Sequence, residues 1–434
     1  MWFVIRYKSL NQVIHSPLIF ANIYFESRIL YNSFAFFSIV LYYILINNYD
    51  LEVNMNNILM FLATFLIQII IAVEMGVIGP LAPFLADYFS INEAMVMFFN
   101  LGYSLVGFLV PYLGVFADKY GKKKSLTISL ILFIIGSIIG GLAKSPYLFA
   151  FARIFIGFSY FSISGTNLSY ISEFISYENR GKASGLLRAA FGIAILFSPI
   201  YATYLVSKYN NLTVIYIPLA VLGIFALILF KNLPETKKSP EVKVDKNEFL
   251  SLLKNPTAKK ILITVFLLLT SPSLLLNYLS IYLSNHFNLS QVNIGFAYTI
   301  IAIGTISGIL FSGIFSDKLG KYRLSKGLFI MTIFSLAPIP FLNSLTLVLG
   351  FVTLFSFGLD GGWTSYQALA SEVVPEKRGT FMSLFYTMNA ITITFYSIIG
   401  PLIYTIGGFK LMLCIATISA TIAVLIISKL QIEE

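Results

Sequence analysis

Charged side chains are scarce in this chain. Only 11% of its 434 residues are Asp, Glu, Lys or Arg, whereas a soluble domain carries about 25%. Most of the folded surface must therefore face something other than water. Cysteine is down to one, Cys414, so no intramolecular disulfide can form and the redox compartment stays open. Histidine is down to two, His15 and His286, both outside the apolar core segments. With no zinc spacing, nucleophile–base pair or phosphate-cradling loop, the chain offers no metal site, no cofactor site and no catalytic centre, so no enzyme is expected. Heptads and low-complexity tracts are missing as well.

What fills the space is apolar. Hydrophobic residues make up 58% of the chain and mean hydropathy is +0.85. That length and composition fit about a dozen spans of ~20 residues with short connections, an all-α integral membrane protein in the lipid bilayer. The net charge of +10 raises nucleic acid as a partner. The positions of the charges argue against it, because they sit in loops between spans rather than along one face.

Twelve spans are legible, at about 58–79, 94–114, 125–143, 147–169, 183–206, 212–231, 260–284, 292–314, 327–345, 347–369, 380–404 and 409–428. The polar stretch 232–259 divides them into an N-terminal bundle (55–231) and a C-terminal bundle with a short tail (260–434), six spans each. Loops following even-numbered spans hold 20 Lys and Arg, those following odd-numbered spans only 3. That bias puts the first group, and both ends of the twelve-span core, in the cytoplasm. Residues 1–54 stand apart as an N-terminal extension. They read as an extra helix over about 29–46, as an interfacial segment, or as upstream sequence from a mis-assigned start; a core beginning at Met55 is expected to work without them.

The two halves repeat. Gly114-Val-Phe-Ala-Asp118-Lys119-Tyr-Gly121-Lys122 returns 199 residues later as Gly313-Ile-Phe-Ser-Asp317-Lys318-Leu-Gly320-Lys321. Glu173 and Glu372 share that offset, and Arg180-Gly and Arg378-Gly follow in the same order. Six spans repeated in parallel imply two six-helix bundles related by a pseudo-twofold axis along the membrane normal.

The duplicated loop, together with Arg153 and Gly157 in the fourth span, resembles the major facilitator superfamily of secondary transporters over about residues 58–428. The loop departs from the superfamily signature in carrying Lys at 119 and 122, which keeps charge but loses the planar fork of Arg. The fifth-span antiporter pattern is replaced by Ser198-Pro-Ile-Tyr-Ala202-Thr203. Leu233-Pro-Glu-Thr236 is similar to sugar porters, though no matching signature follows span 12. The resemblance implies a conformational gate built from Gly114, Asp118, Lys119, Gly121, Lys122, Glu173, Arg180 and Arg188 and from Gly313, Asp317, Lys318, Gly320, Lys321, Glu372 and Arg378. It implies that Asp118 faces the helix start near Thr380 and Asp317 the start near Ala183, while anchoring of topology is the plain alternative for the lysines.

Charges inside spans are costly unless paired or in contact with water. There are four: Glu74, Arg153, Arg188 and Asp360. Glu74 and Arg153 fall ~6 and ~9 Å below the outer face of a ~30 Å core, Asp360 and Arg188 ~20 and ~22 Å. Depth thus suggests an outer pair, Glu74–Arg153, and an inner pair, Asp360–Arg188. Glu74 and Asp360 are the expected proton sites, with Asn277, Gln367 and Trp363 as further substrate contacts. Asn100 and Asn167 more simply bond helix to helix, and Gly136, Gly140, Gly304 and Gly308 ease close packing. The expected function is secondary active transport of a small organic solute by alternating access, proton-coupled and carried out by a monomer, as sugar-porter-like or general symport. Drug/proton antiport is the alternative, and a non-transporting receptor or sensor the rival class.

Overall fold

The computed structural model describes residues 55–175, 180–236, 238 and 251–430, so the 1–54 extension lies outside the described residues. The contacts that define the fold lie within the unit from Leu59 to Glu434. The helices are α1 (Met55–Met75), α2 (Ala82–Phe89), α3 (Glu93–Tyr120), α4 (Lys122–Leu142), α5 (Pro146–Ile171), α6 (Arg180–Tyr209), α7 (Thr213–Lys231), α8 (Pro256–Phe287), α9 (Gln291–Leu319), α10 (Lys321–Leu336), α11 (Leu345–Val373) and α12 (Arg378–Ile427). Several starts are written in the sequence. Ser145 and Asn255 cap the backbone N–H groups of Leu148 and Ala258, and a proline follows each cap, where its missing N–H costs nothing.

The first span differs from the sequence reading. The first helix stops at Met75 and turns over residues 76–81 before α2, because Gly79-Pro80 and then Pro83 interrupt the backbone ladder. Spans 11 and 12 are two helices that meet without a loop at Gly408, whose φ of 59° and ψ of −161° are non-helical and suit glycine alone. Counting α12 as two and setting aside the short α2, the described residues hold twelve spans, six in α1–α7 and six in α8–α12.

The halves share a build. The α3–α4 turn passes through Gly121 at φ 98°, ψ 136°, and the α9–α10 turn through Gly320 at φ 83°, ψ 134°. In the first half α4 packs on α5 and α7; in the second α10 packs on α11 and α12. Small residues let these helices close. A Cβ on Gly304 or Gly308 would overlap the backbone carbonyls of Thr353 and Phe357 on α11, and one on Gly136 would press on Ile156 and Ala152. Gly140 leaves ordinary contact distance.

Two seams join the halves, α3 along the first part of α12 and α6 along α9. They are shut at the end remote from the duplicated loops. There a Cβ on Gly107 would overlap the Ala390 methyl, and one on Gly295 the Thr203 hydroxyl. Thr394 donates to Ser104 at 2.8 Å, Thr299 to the Leu196 carbonyl at 3.1 Å and Ser280 to the Gly79 carbonyl at 2.6 Å. Gln291 reaches the Pro80 carbonyl at 2.8 Å, and Asn285 the Glu93 carboxylate at 2.7 Å. The loop-bearing end is different. Gly114, Gly185, Gly313 and Gly379, one on each seam helix, have nothing within 4 Å of where a Cβ would stand. The four seam helices meet at one end and part at the other.

Candidate functional site

At the loop-bearing end each half closes one ion pair of the same kind. Lys122 pairs with Glu173, and Lys321 Nζ lies 2.6 Å from Glu372 Oε1. The positive-φ glycine before each lysine turns it back over the end of the neighbouring span. The first half adds a strap. Lys123 Nζ donates to the Leu233 and Lys231 carbonyls at 2.6 and 3.2 Å and approaches Glu235 at 3.3 Å. The Lys122 backbone N–H donates to Thr236 Oγ1 at 2.7 Å, and Tyr170 donates to the Pro234 carbonyl at 2.9 Å. The Leu233–Thr236 segment is thereby pinned onto the loop.

Arg378 donates to the Ser371 carbonyl at 2.7 Å, and Lys119 lies over the Tyr120 ring. Lys318 is exposed, and the Arg180 side chain lies outside the described residues. Asp118 and Asp317 make no hydrogen bond or ion pair among the described residues. Among the described residues neither aspartate is bonded to the opposite helix start, and the seams stand open at that end.

Glu74 and Arg153 are paired, 1% and 2% exposed. Arg153 also donates to Asn100 Oδ1 at 3.3 Å and lies over the Tyr103 ring at 4.6 Å, while Tyr216 donates to Glu74 at 3.4 Å. The cluster thus ties α1, α3, α5 and α7 together inside the first half. Gly157, one turn beyond Arg153, makes this possible: a Cβ there would strike the Tyr103 backbone, so α5 crosses α3 where the ring can cover the guanidinium. Asn167 likewise bonds helix to helix, donating to the Thr64 carbonyl at 3.0 Å.

The inner pair does not form, and the expectation is corrected. Asp360 accepts from Thr305 of α9 at 2.7 Å, inside its own half, and has no cation partner among the described residues. Arg188 is exposed. It lies on α6 one turn from Gly192, which faces Ile306 across the α6–α9 seam. Equal depth by residue count does not bring the two side chains together.

Arg188 is within electrostatic reach of Tyr386 on α12, whose hydroxyl accepts from Gln367 of α11. Trp363 packs against Phe385 with ring centroids 4.9 Å apart. Asn277 donates to the Ser273 carbonyl of its own helix at 3.0 Å. Sequence reasoning passed over Tyr103, Tyr216, Thr305 and Tyr386. A tyrosine or threonine in an apolar span carries no cost that flags it, and only the neighbouring charge reveals its use.

The family model of the Major Facilitator Superfamily matches residues 64–391 and also 261–433. The chain belongs to that superfamily. It is accordingly a multi-pass membrane transporter, and its two bundles are the two halves of the superfamily fold. It is 26% identical over 339 residues to the uncharacterized MFS-type transporter YceJ of Bacillus subtilis, covering 76% of this chain and 84% of that protein. It is 26% identical over 237 residues to the sialic acid transporter NanX of Escherichia coli, covering 54% and 58%. Among solved structures, the human organic anion transporter MFSD10 superposes with a TM-score of 0.66 at 15% identity, over 86% of this chain and 99% of that one.

Proposed function

We propose that this transporter works by alternating access and carries a small organic anion together with a proton. The observation that carries the reading is a pair of uncompensated charges. Arg188 and Asp360 both lie within spans, stand one in each half, and have no opposite charge bonded to them among the described residues. A carrier that reorients through a bilayer must keep its span charges balanced or wet. A solute carboxylate on Arg188 and a proton on Asp360 would neutralise both at once, so loaded and empty carriers have the same net charge. Tyr386 and Gln367, beside Arg188, supply hydroxyl and amide contacts for the rest of the solute. The relative named as a sialic acid transporter handles a solute of that acidic class.

The Lys and Arg bias places the loop-bearing end in the cytoplasm. The open seams at that end then make this the inward-facing conformation. Glu74, locked to Arg153, Asn100 and Tyr216 within one half, is assigned to holding that half together rather than to coupling.

Proteoliposomes offered labelled organic acids and their neutral amides test the reading. Acids should accumulate when the interior is alkaline, with no response to a potassium-diffusion potential. Asp360→Asn should lose gradient-driven accumulation yet keep exchange, and Arg188→Gln should lose the preference for acid over amide. Equal uptake of acid and amide, or accumulation driven by the electrical potential, would overturn it.

A further inference from the structure

The loop-bearing end holds a second feature that the transport path does not use. A groove of about 790 Å³ opens between α4 and α7. Its floor is apolar, and two of its side chains, Ile131 and Ile228, are 41% and 61% exposed on the outward faces of their helices. In a membrane-spanning bundle those faces meet acyl chains. Its rim is basic, formed by Lys123, Lys124, Lys231 and Lys238 against the single acid Glu235.

Among the described residues the rim charges are not balanced. Glu235 is committed to Lys123 at 3.3 Å, and Lys123 also holds the carbonyls of Lys231 and Leu233. Lys124, Lys231 and Lys238 have no ion pair among the described residues. The strap pinned by Thr236 and Tyr170 fixes the rim in place, so the site exists before anything binds. A groove with an apolar floor and three ammonium groups that no carboxylate pairs among the described residues, one of them over the Tyr120 ring, matches a molecule with the same division along its length.

We propose that this groove is a binding site for an anionic phospholipid of the leaflet on the loop-bearing side. The phosphate sits among Lys124, Lys231 and Lys238, and an acyl chain lies over Ile131 and Ile228. A zwitterionic lipid brings its own cation to the rim and gains less, and each lysine near the surface adds to the preference for negative charge. The bound lipid would bridge the end of α4, the end of α7 and the strap, which are the parts that fasten the first half to its linker.

The full chain reconstituted in nanodiscs of equal phosphatidylglycerol and phosphatidylcholine, extracted in mild detergent and weighed by native mass spectrometry, tests this. The wild type should retain phosphatidylglycerol in preference to phosphatidylcholine. The triple variant Lys124→Gln, Lys231→Gln, Lys238→Gln should retain about a hundred-fold less, given about a factor of five per lysine. Lys326→Gln, a lysine near the same end of the second half, serves as the charge control and should retain as much as the wild type. Melting in each lipid guards against misfolding, since the triple variant should melt as the wild type does in phosphatidylcholine and lose only the added stability in phosphatidylglycerol. Equal retention of both lipids by the wild type, or undiminished phosphatidylglycerol on the triple variant, would overturn the proposal.

Discussion

The Glu74–Arg153 pair sets a stability test whose size follows from its surroundings. Both side chains are almost fully enclosed, and removing one partner strands the other's charge in apolar surroundings. Breaking a buried pair this way costs about 3–5 kcal/mol. Glu74→Gln leaves Arg153 with only Asn100 and the Tyr103 face, and arginine cannot shed its proton. Arg153→Gln leaves Glu74 with the Tyr216 hydroxyl, and a carboxyl group can be neutralised by protonation. The glutamate variant should therefore be the more damaged of the two. The double variant strands nothing and should return to within about 2 kcal/mol of the wild type, giving a coupling energy of at least about 4 kcal/mol. Reversible unfolding in a detergent titration supplies the free energies, and a thiol dye reporting on Cys414, the chain's one cysteine, gives an independent signal. Costs below about 1 kcal/mol for both single variants, or simple additivity in the double, would show that the pair does not hold the first half together.

Two further outcomes concern the seams and turns. Gly107→Leu should wedge the shut seam apart, raising the reaction of a Ser280→Cys reporter with an impermeant maleimide in a Cys414→Ala background. Gly114→Leu should leave that labelling low while stopping transport, because it meets open space in this conformation but blocks closure of the loop-bearing end; raised labelling in Gly114→Leu would reverse the assignment of which end is open. Gly121→Ala and Gly320→Ala should each lower thermal stability by about 1–2 kcal/mol, the cost of positive φ for a side chain, and an unchanged melting curve would contradict the backbone geometry.

The duplication was legible because its chemistry is local. Gly121 and Gly320 need positive φ, and the lysines that follow need acids at the ends of nearby spans, so residue type and offset expose them together. Glu74 and Arg153 were legible through depth, a one-dimensional quantity that a count along the helix supplies. Depth failed for Arg188 and Asp360 because it omits rotation about the helix axis. The apolar spans are hydrophobic nearly all round, so the sequence gives no weaker face from which to read that angle. The break at Gly408 was legible to within a few residues, between the apolar runs 380–404 and 409–428. One glycine between two apolar runs looks like a short loop, and only its backbone geometry shows that the chain turns on that single residue. The lysine-rimmed groove was invisible because its walls come from α4 and α7, about a hundred residues apart, and its lysines read as topology anchors.

That break has a consequence for how the second half can bend. The part of α12 before Gly408 is seamed to α3 through Thr394 and Ala390. The part after it is tied to α8, where Ser271 donates to the Ala416 carbonyl at 3.2 Å and Ser419 to the Leu267 carbonyl at 2.9 Å. When the shut seam opens, the first part must travel while the second is held, and no slack segment separates them. The whole angular difference then falls on one residue, which acts as an elbow. Elsewhere a connecting loop can absorb extra sequence. At this corner an inserted tag would lengthen the elbow itself, so it would strike at the motion rather than decorate the surface.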